Sequence, residues 1–389
     1  MIINKNGLLL VLFLIFFSNF LSAQKDFKNG NGFYKKERQS LQASIHKNFY
    51  DKASGYYVVV VDPAKREKKN GYLREYTYIW SLCALYQAAN EIEKLEPKAK
   101  LMAPLLKIMY DYFKPAPPKP GFSDYIMKLK PGERYYDDNE WIGITALDAY
   151  SRTKQKSDLE LGKLIYDFIM SGYDQTLGGG IYWKEGSASS KNTCSNGPGV
   201  LVALQLYQAT KNKAYLDTAI KIFNWTKEKL QAPSTLYYDN IRTKDGSISK
   251  PVLSYNTGTM LQANIYLYEI TGDKKYLQEA NVMADSSLSF FYAHDKFRDG
   301  FWFNAVLLRA YQHLLKYNSD KKYILGFKKC LDDALKNNKN EDGLFVGKEG
   351  VQSLVEHGGM LEILARYAWI ENKYNLSEPN SSLSTVSKK

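Results

Sequence analysis

The chain is short of the residues on which several protein classes depend. Its three cysteines, Cys83, Cys194 and Cys330, are odd in number and far apart. Such a set builds neither a disulfide framework nor a thiolate cluster for a metal. Four histidines without an HExxH pairing leave little for a zinc enzyme, and no metal or other cofactor is expected. Beyond residue 24, no run approaches the ~18 uninterrupted apolar residues of a membrane span. Zinc-finger spacings, basic-region heptads and RNP-type aromatic motifs are missing too. The excess of 53 Lys and Arg over 41 Asp and Glu, a net charge of +12, is spread along the chain. It suits an anionic surface or glycan better than nucleic acid, which is not expected as a partner.

What is present is an ordinary globular composition, 44% hydrophobic and 24% charged, which excludes intrinsic disorder. The excess is aromatic: 31 Tyr, 18 Phe and 6 Trp. Flat rings with polar tips stack on sugar faces, and they also fill contacts between helices. At the N-terminus, Lys5 precedes an apolar run from Leu8 to Phe17, and small residues lead to a cut after Ala23. This predicts a signal peptide over 1–23 and a chain secreted or held in the periplasm. No cysteine follows the run, so no lipid anchor is indicated. A monomer without a stable membrane anchor is expected, with one domain over 24–374 and a frayed tail over 375–389.

Repeats decide the expected fold. Leu85-Tyr86-Gln87-Ala88, Ala149-Tyr150-Ser151-Arg152-Thr153, Leu206-Tyr207-Gln208-Ala209-Thr210 and Leu267-Tyr268-Glu269-Ile270-Thr271 recur about sixty residues apart. Matching second segments follow, such as Lys213-Ala214-Tyr215-Leu216, Lys274-Lys275-Tyr276-Leu277 and Lys322-Tyr323-Ile324-Leu325. Each unit reads as helix, turn, helix. The spacing predicts helices over 37–49, 78–95, 98–113, 139–152, 158–170, 197–210, 215–230, 258–270, 276–291, 302–317, 322–335 and 358–369. The fold expected is all-α, an (α/α)6 barrel of six helical hairpins, since an open solenoid would need polar capping repeats that are not seen. Long linkers before the inner helices would gather at one mouth, where a site belongs.

One such helix entry reads Tyr135-Tyr136-Asp137-Asp138-Asn139-Glu140-Trp141. Adjacent carboxylates can sit about 5 Å apart, the separation of retaining glycosidases. Repulsion would raise the proton affinity of one while helix amides stabilise the charge of the other. Asp137-x-x-Glu140 equally reads as a capping box, with no chemistry implied. Downstream lie Gly178-Gly179-Gly180-Ile181-Tyr182-Trp183, Lys191-Asn192-Thr193-Cys194-Ser195-Asn196-Gly197-Pro198, Leu236-Tyr237-Tyr238-Asp239-Asn240 and Ser254-Tyr255-Asn256-Thr257-Gly258. In this order the motifs resemble glycoside hydrolase family 76, the endo-α-1,6-mannanases and related fungal cell-wall transglycosidases, from about Asn48 to Ala368.

The resemblance implies an (α/α)6 barrel, a retaining mechanism without metal, Asp137 as nucleophile, Asp138 as general acid/base, and an α-mannan or manno-oligosaccharide substrate. The chain departs from the family at Tyr182, where a second tryptophan is common, and at Phe301-Trp302-Phe303-Asn304. Tyr136, Asn139, Trp141, Gly179, Gly180, Tyr182, Trp183, Asn192, Asn196, Asp239, Tyr255 and Asn256 are the candidates for substrate binding. Trp141 and Trp183 could stack on sugar or sit in the core, and Asp239 and Asn256 could bond hydroxyls or cap helices. The glycine run could admit substrate or merely permit a turn. Cys194 reads as a small buried residue, and His357 as a cap or core contact. Alternatives to an exported endo-α-1,6-mannanase are a transglycosidase using the same pair, an inactive mannan-binding barrel, and an epimerase or unsaturated uronyl hydrolase. The few histidines count against an epimerase.

Overall fold

The computed structural model describes residues 32–374, except 70, 71, 131, 348 and 349. The signal peptide expected at 1–23 and the tail at 375–389 lie outside the described residues. Twelve α-helices are found among them: α1 (Phe33–Phe49), α2 (Ile79–Leu95), α3 (Met102–Met109), α4 (Tyr136–Thr153), α5 (Lys156–Met170), α6 (Thr193–Thr210), α7 (Lys213–Leu230), α8 (Ser254–Thr271), α9 (Lys274–Phe291), α10 (Phe301–Leu314), α11 (Lys322–Asn337) and α12 (Leu354–Lys373).

The recurrent threonine of the sequence repeat makes the turn of three hairpins. Thr153, Thr210 and Thr271 each donate to the carbonyl four residues back and accept the N–H two residues ahead, that of Gln155, Asn212 and Asp273. The residue between turns left-handed: Lys154, Lys211 and Gly272, with φ of 60°, 60° and 73°. Glycine takes that conformation freely, whereas a lysine is strained there by ~1–2 kcal/mol. Asn212 and Asp273 then cap the next helix through the amides of Ala214 and Lys275.

Even-numbered helices form an inner ring, and odd-numbered ones lie outside it. In α6, every residue from Thr193 to Leu206 is buried, whereas α7 buries only the stripe Ala219, Ile222, Phe223, Trp225, Thr226 and Leu230. Each inner helix packs on the next, and α12 returns to α2, so the ring is closed. Five hairpins are consecutive in the chain. The sixth pairs α12 with α1, so the two ends of the described chain seal the seam. Inner helices touch backbone to backbone in places: a Cβ on Gly359 would lie 2.3 Å from Trp302 Cα, and one on Gly258 would lie 2.8 Å from Leu307 Cα.

Strands, which an all-α expectation omits, decorate the mouth. The largest group is an antiparallel sheet of β1 (Tyr182–Lys184), β2 (Ser187–Asn192), β3 (Tyr238–Arg242) and β4 (Ile248–Val252), in the order β4-β3-β2-β1. It is built from the linkers before α6 and α8. No described helix is long and apolar enough to cross a membrane.

Candidate active site

The inner helices share one plan at the mouth. Their fourth residues are Leu82, Asn139, Asn196, Thr257, Asn304 and His357, all but the first polar, and those five polar side chains are inaccessible to solvent. Each of the five ties down chain near its own helix entry. Asn139 accepts Phe122 N–H at 2.7 Å and donates to the carbonyls of Phe122 and Tyr135. Asn196 does the same with Ile181 and Asn192. Thr257 accepts Tyr237 N–H, and Asn304 donates to Gly300 and Asp299 while accepting the Tyr292 hydroxyl. His357 accepts Phe345 N–H on Nε2 and bonds Ser353 O through Nδ1, which defines the neutral tautomer. Burial pushes that imidazole down to about 4.

Second positions face the axis. Trp80, Asp137, Cys194, Tyr255 and Trp302, second in α2, α4, α6, α8 and α10, line one cavity of about 580 Å³. Asp138 and Phe303, third in their helices, join them. Trp302 stands edge-on to Trp80 and Trp141, with ring centroids 5.3 and 5.1 Å away, and its indole N–H is satisfied by Gln87. Tyr255 stacks on Phe303 at 4.3 Å. The sheet supplies the facing wall. Alternation along β2 turns Ser190 and Asn192 to the cavity and Lys191 away, and the pairing Asn192↔Asn240 brings Asp239 and Asn240 beside them.

Of the residues expected at the site, Asp137, Asp138, Trp141, Trp183, Asn192, Asp239 and Tyr255 line this cavity. Six do not. Asn139 and Asn196 are the buried clamps just described, with their hydrogen-bonding groups committed to backbone. Tyr136 packs against Phe168 and Gly172. Gly179 and Gly180 hold φ of 143° and 87° against Trp225, serving a tight turn. Tyr182 donates to Asp174, away from the cavity. Asn256 is fully buried and favours the charged form of Asp239, and neither polar atom of its side chain has a partner at hydrogen-bond distance among the described residues. The cavity also holds Glu67, Tyr78, Trp80, Asp124, Tyr135, Ser190, Cys194, Asn240, Trp302 and Phe303, which sequence reasoning did not place there. No histidine lines it.

The two aspartates are equipped differently. Asp137 Oδ1 accepts the N–H of Asp138 at 2.9 Å, and Oδ2 accepts the indole N–H of Trp183 at 3.0 Å. Burial raises its pKa to about 6, opposed by these donors and by the Cys194 thiol. Asp138 lies well above the usual carboxylate range because of burial and then the charge on Asp137, with Asp124 adding to it. The capping-box alternative fails on geometry. Tyr135 is the N-cap and gives no side-chain bond, and Glu140, fully buried one turn on, leaves both carboxyl oxygens unpartnered. Burial, with the charges of Asp137 and Asp138, raises Glu140 well above its normal range.

Comparison with known proteins gives one family. The model of glycosyl hydrolase family 76 matches residues 34–337. The chain is similar to a mannan endo-1,6-alpha-mannosidase of Candida glabrata, 25% identical over 185 residues, covering 43% of this chain and 42% of that one. For the Saccharomyces cerevisiae enzyme the values are 26% over 186 residues, 44% and 41%. The chain thus spans under half the length of these yeast relatives. Among solved structures, a family 76 mannosidase of Bacteroides thetaiotaomicron superposes with a TM-score of 0.77 at 25% identity, over 88% of this chain and 99% of that one. An inactive variant of the α-1,6-mannanase from Salegentibacter sp. HEL1_6, solved with α-1,6-mannotriose, superposes at 0.70 with 23% identity, over 87% and 99%.

Proposed function

The chain belongs to glycosyl hydrolase family 76, and from that membership we propose that it cleaves internal α-1,6-mannosidic bonds of α-mannan with retention of configuration. The unequal equipment of the adjacent aspartates carries this proposal. Asp137, with three donors around its carboxyl, attacks the anomeric carbon, while Asp138, which no donor holds as an anion, protonates the leaving oxygen. Asp138 then takes a proton from the incoming water, which displaces Asp137. The aromatic lining of Trp80, Trp141, Tyr255, Trp302 and Phe303 offers sugar faces a stacking surface. The apolar run and small residues of 1–23 support export of the enzyme.

The test is digestion of unbranched α-1,6-mannan with proton NMR of the new reducing end before mutarotation. Oligosaccharides whose first signal is the α anomer are expected. A β anomer appearing first would move one role to a more distant carboxylate, because inversion needs ~6.5–9.5 Å between the groups. The pH profile has a defined sign. Asp137 must be ionised, so kcat/KM should rise with pH through about 6. The alkaline limb follows Asp138 and lies higher. A profile flat from pH 5 to 7 would remove Asp137 from the nucleophile's role.

A further inference from the structure

Trp183 is 40% exposed, whereas Trp141 and Trp302 are buried and Trp80 is half-buried, yet it is held tightly. It sits between two pairings of β1 with β2, Tyr182↔Lys191 and Lys184↔Ser187, where the register shifts. A bulge of this kind re-aims a side chain. Both flanks are pinned. On one side, Lys191 Nζ, fully buried, bonds Asp174 Oδ1 at 2.6 Å and the carbonyls of Thr176 and Gly179 at 2.9 and 2.6 Å. On the other side, Lys184 bridges to Tyr135, and the Arg134 guanidinium pairs with Glu185. Trp183 is therefore tied to the segment that immediately precedes Asp137, and its ring lies against Tyr135 at 5.0 Å. The indole N–H reaches Asp137 Oδ2 at 3.0 Å. A residue serving only to stack on sugar has no need of that bond.

We infer that Trp183 is a positioning residue for the second half of the reaction, holding the Asp137 carboxylate as a leaving group so that sugar leaves the enzyme faster. The inference rests on the double displacement proposed above. In the first half, an Asp137 oxygen bonds the anomeric carbon, the glycosidic C–O bond breaks, and the Asp138 proton passes to the departing oxygen. In the second half, water bonds the same carbon and gives its proton to Asp138, and the ester bond breaks with its electron pair returning to Asp137. An N–H donor binds a carboxylate more strongly than an ester oxygen. It therefore opposes ester formation and assists ester cleavage.

Trp183→Phe keeps a ring over the cavity and removes only the donor. With an α-1,6-mannobioside carrying a good aryl leaving group, attachment is fast and release sets the rate. The variant is expected to lose about 10- to 100-fold in kcat, the range of one hydrogen bond to a charged group. KM should fall in parallel, leaving kcat/KM within a few-fold at alkaline pH. A burst of aryl alcohol should appear, with a glycosyl adduct in the intact mass spectrum. The acid limb of kcat/KM should move above about 6, since Asp137 has lost a donor. Trp183→His, which keeps a ring N–H, should recover part of kcat. Equal losses in kcat and kcat/KM without burst or adduct would overturn the inference and leave Trp183 a sugar contact. A β anomer released first by the unaltered enzyme would instead sink double displacement itself, and this inference with it.

Discussion

Asp138→Asn is expected to abolish hydrolysis of α-1,6-mannan while leaving the protein as stable as before, or more so. The catalytic side follows from the missing proton. An amide neither protonates the leaving oxygen nor accepts a proton from water, and loss of a general acid/base commonly costs ~10²–10⁴-fold. On the proposed mechanism, Asp137→Asn removes the nucleophile as well as its charge, and losses of order 10⁶ are known for such residues. The stability side follows from linkage. Asp138 has a folded pKa raised well above its normal value, by burial and then by Asp137. The folded chain therefore holds a proton that the unfolded chain releases above about pH 4. Stability falls as pH climbs from there through the folded value, and Asn, having nothing to ionise, escapes the loss. Activity assays with thermal melts at pH 5 and 7 separate the possibilities. A lower melting temperature with activity retained would leave the pair a structural role only.

Much of this architecture is legible in the sequence, for an identifiable reason. Three of the hairpin turns depend on one threonine and one left-handed residue, with a capping side chain in two of them, so Thr153, Thr210 and Thr271 recur in register along the sequence. Five of the six inner helices begin earlier than periodicity places them, by one to four residues, and α2 begins one residue later. The first turns of α4, α6 and α8 read as polar because their second residues face a cavity and their fourth residues clamp a linker. The helix expected over 98–113 is shorter because Phe113 leaves it to pair with Phe122. The sheet escaped notice because Ser187–Asn192 has neither β-branched residues nor alternation of apolar and polar. Candidates chosen beside Asp137 in sequence, such as Asn139, proved to be clamps, whereas Trp80 and Trp302 arrived from other helices. The offset from the helix start carries the signal: second residues of α2, α4, α6, α8 and α10 line the cavity, and the fourth residues of the inner helices do not.

Arg366→Met is expected to cost about 3–5 kcal/mol of stability at pH 7, the usual consequence of leaving buried carboxylates without their cation. Towards the C-terminal ends of the inner helices, all six contribute to a buried polar floor. Arg366 of α12 bonds Glu362 at 2.6 Å, Gln312 of α10 at 2.8 Å and Glu91 of α2 at 3.2 Å. Arg309 of α10 pairs with Asp148 of α4 at 2.6 Å and Gln262 of α8 at 2.9 Å, and Gln205 of α6 reaches Asp148. Burial alone would raise the Glu91 pKa, but Arg366 and Lys94 override it and hold it at about 2. For Glu362, burial prevails and the shift is upward. The depressed Glu91 contributes stability above its unfolded value near 4.3, lost as pH falls towards 2. In the variant, the uncompensated carboxyls should take up protons instead, so it gains stability as pH falls from 7. The gap between the two proteins should therefore narrow on acidification. Denaturant titrations at pH 7 and 5 measure it. A gap that stays constant would mean that Arg366 acts through packing, with its charge irrelevant. Because this floor is built from residues far along each inner helix from the cavity, the folded variant should keep its kcat on α-1,6-mannan at low temperature.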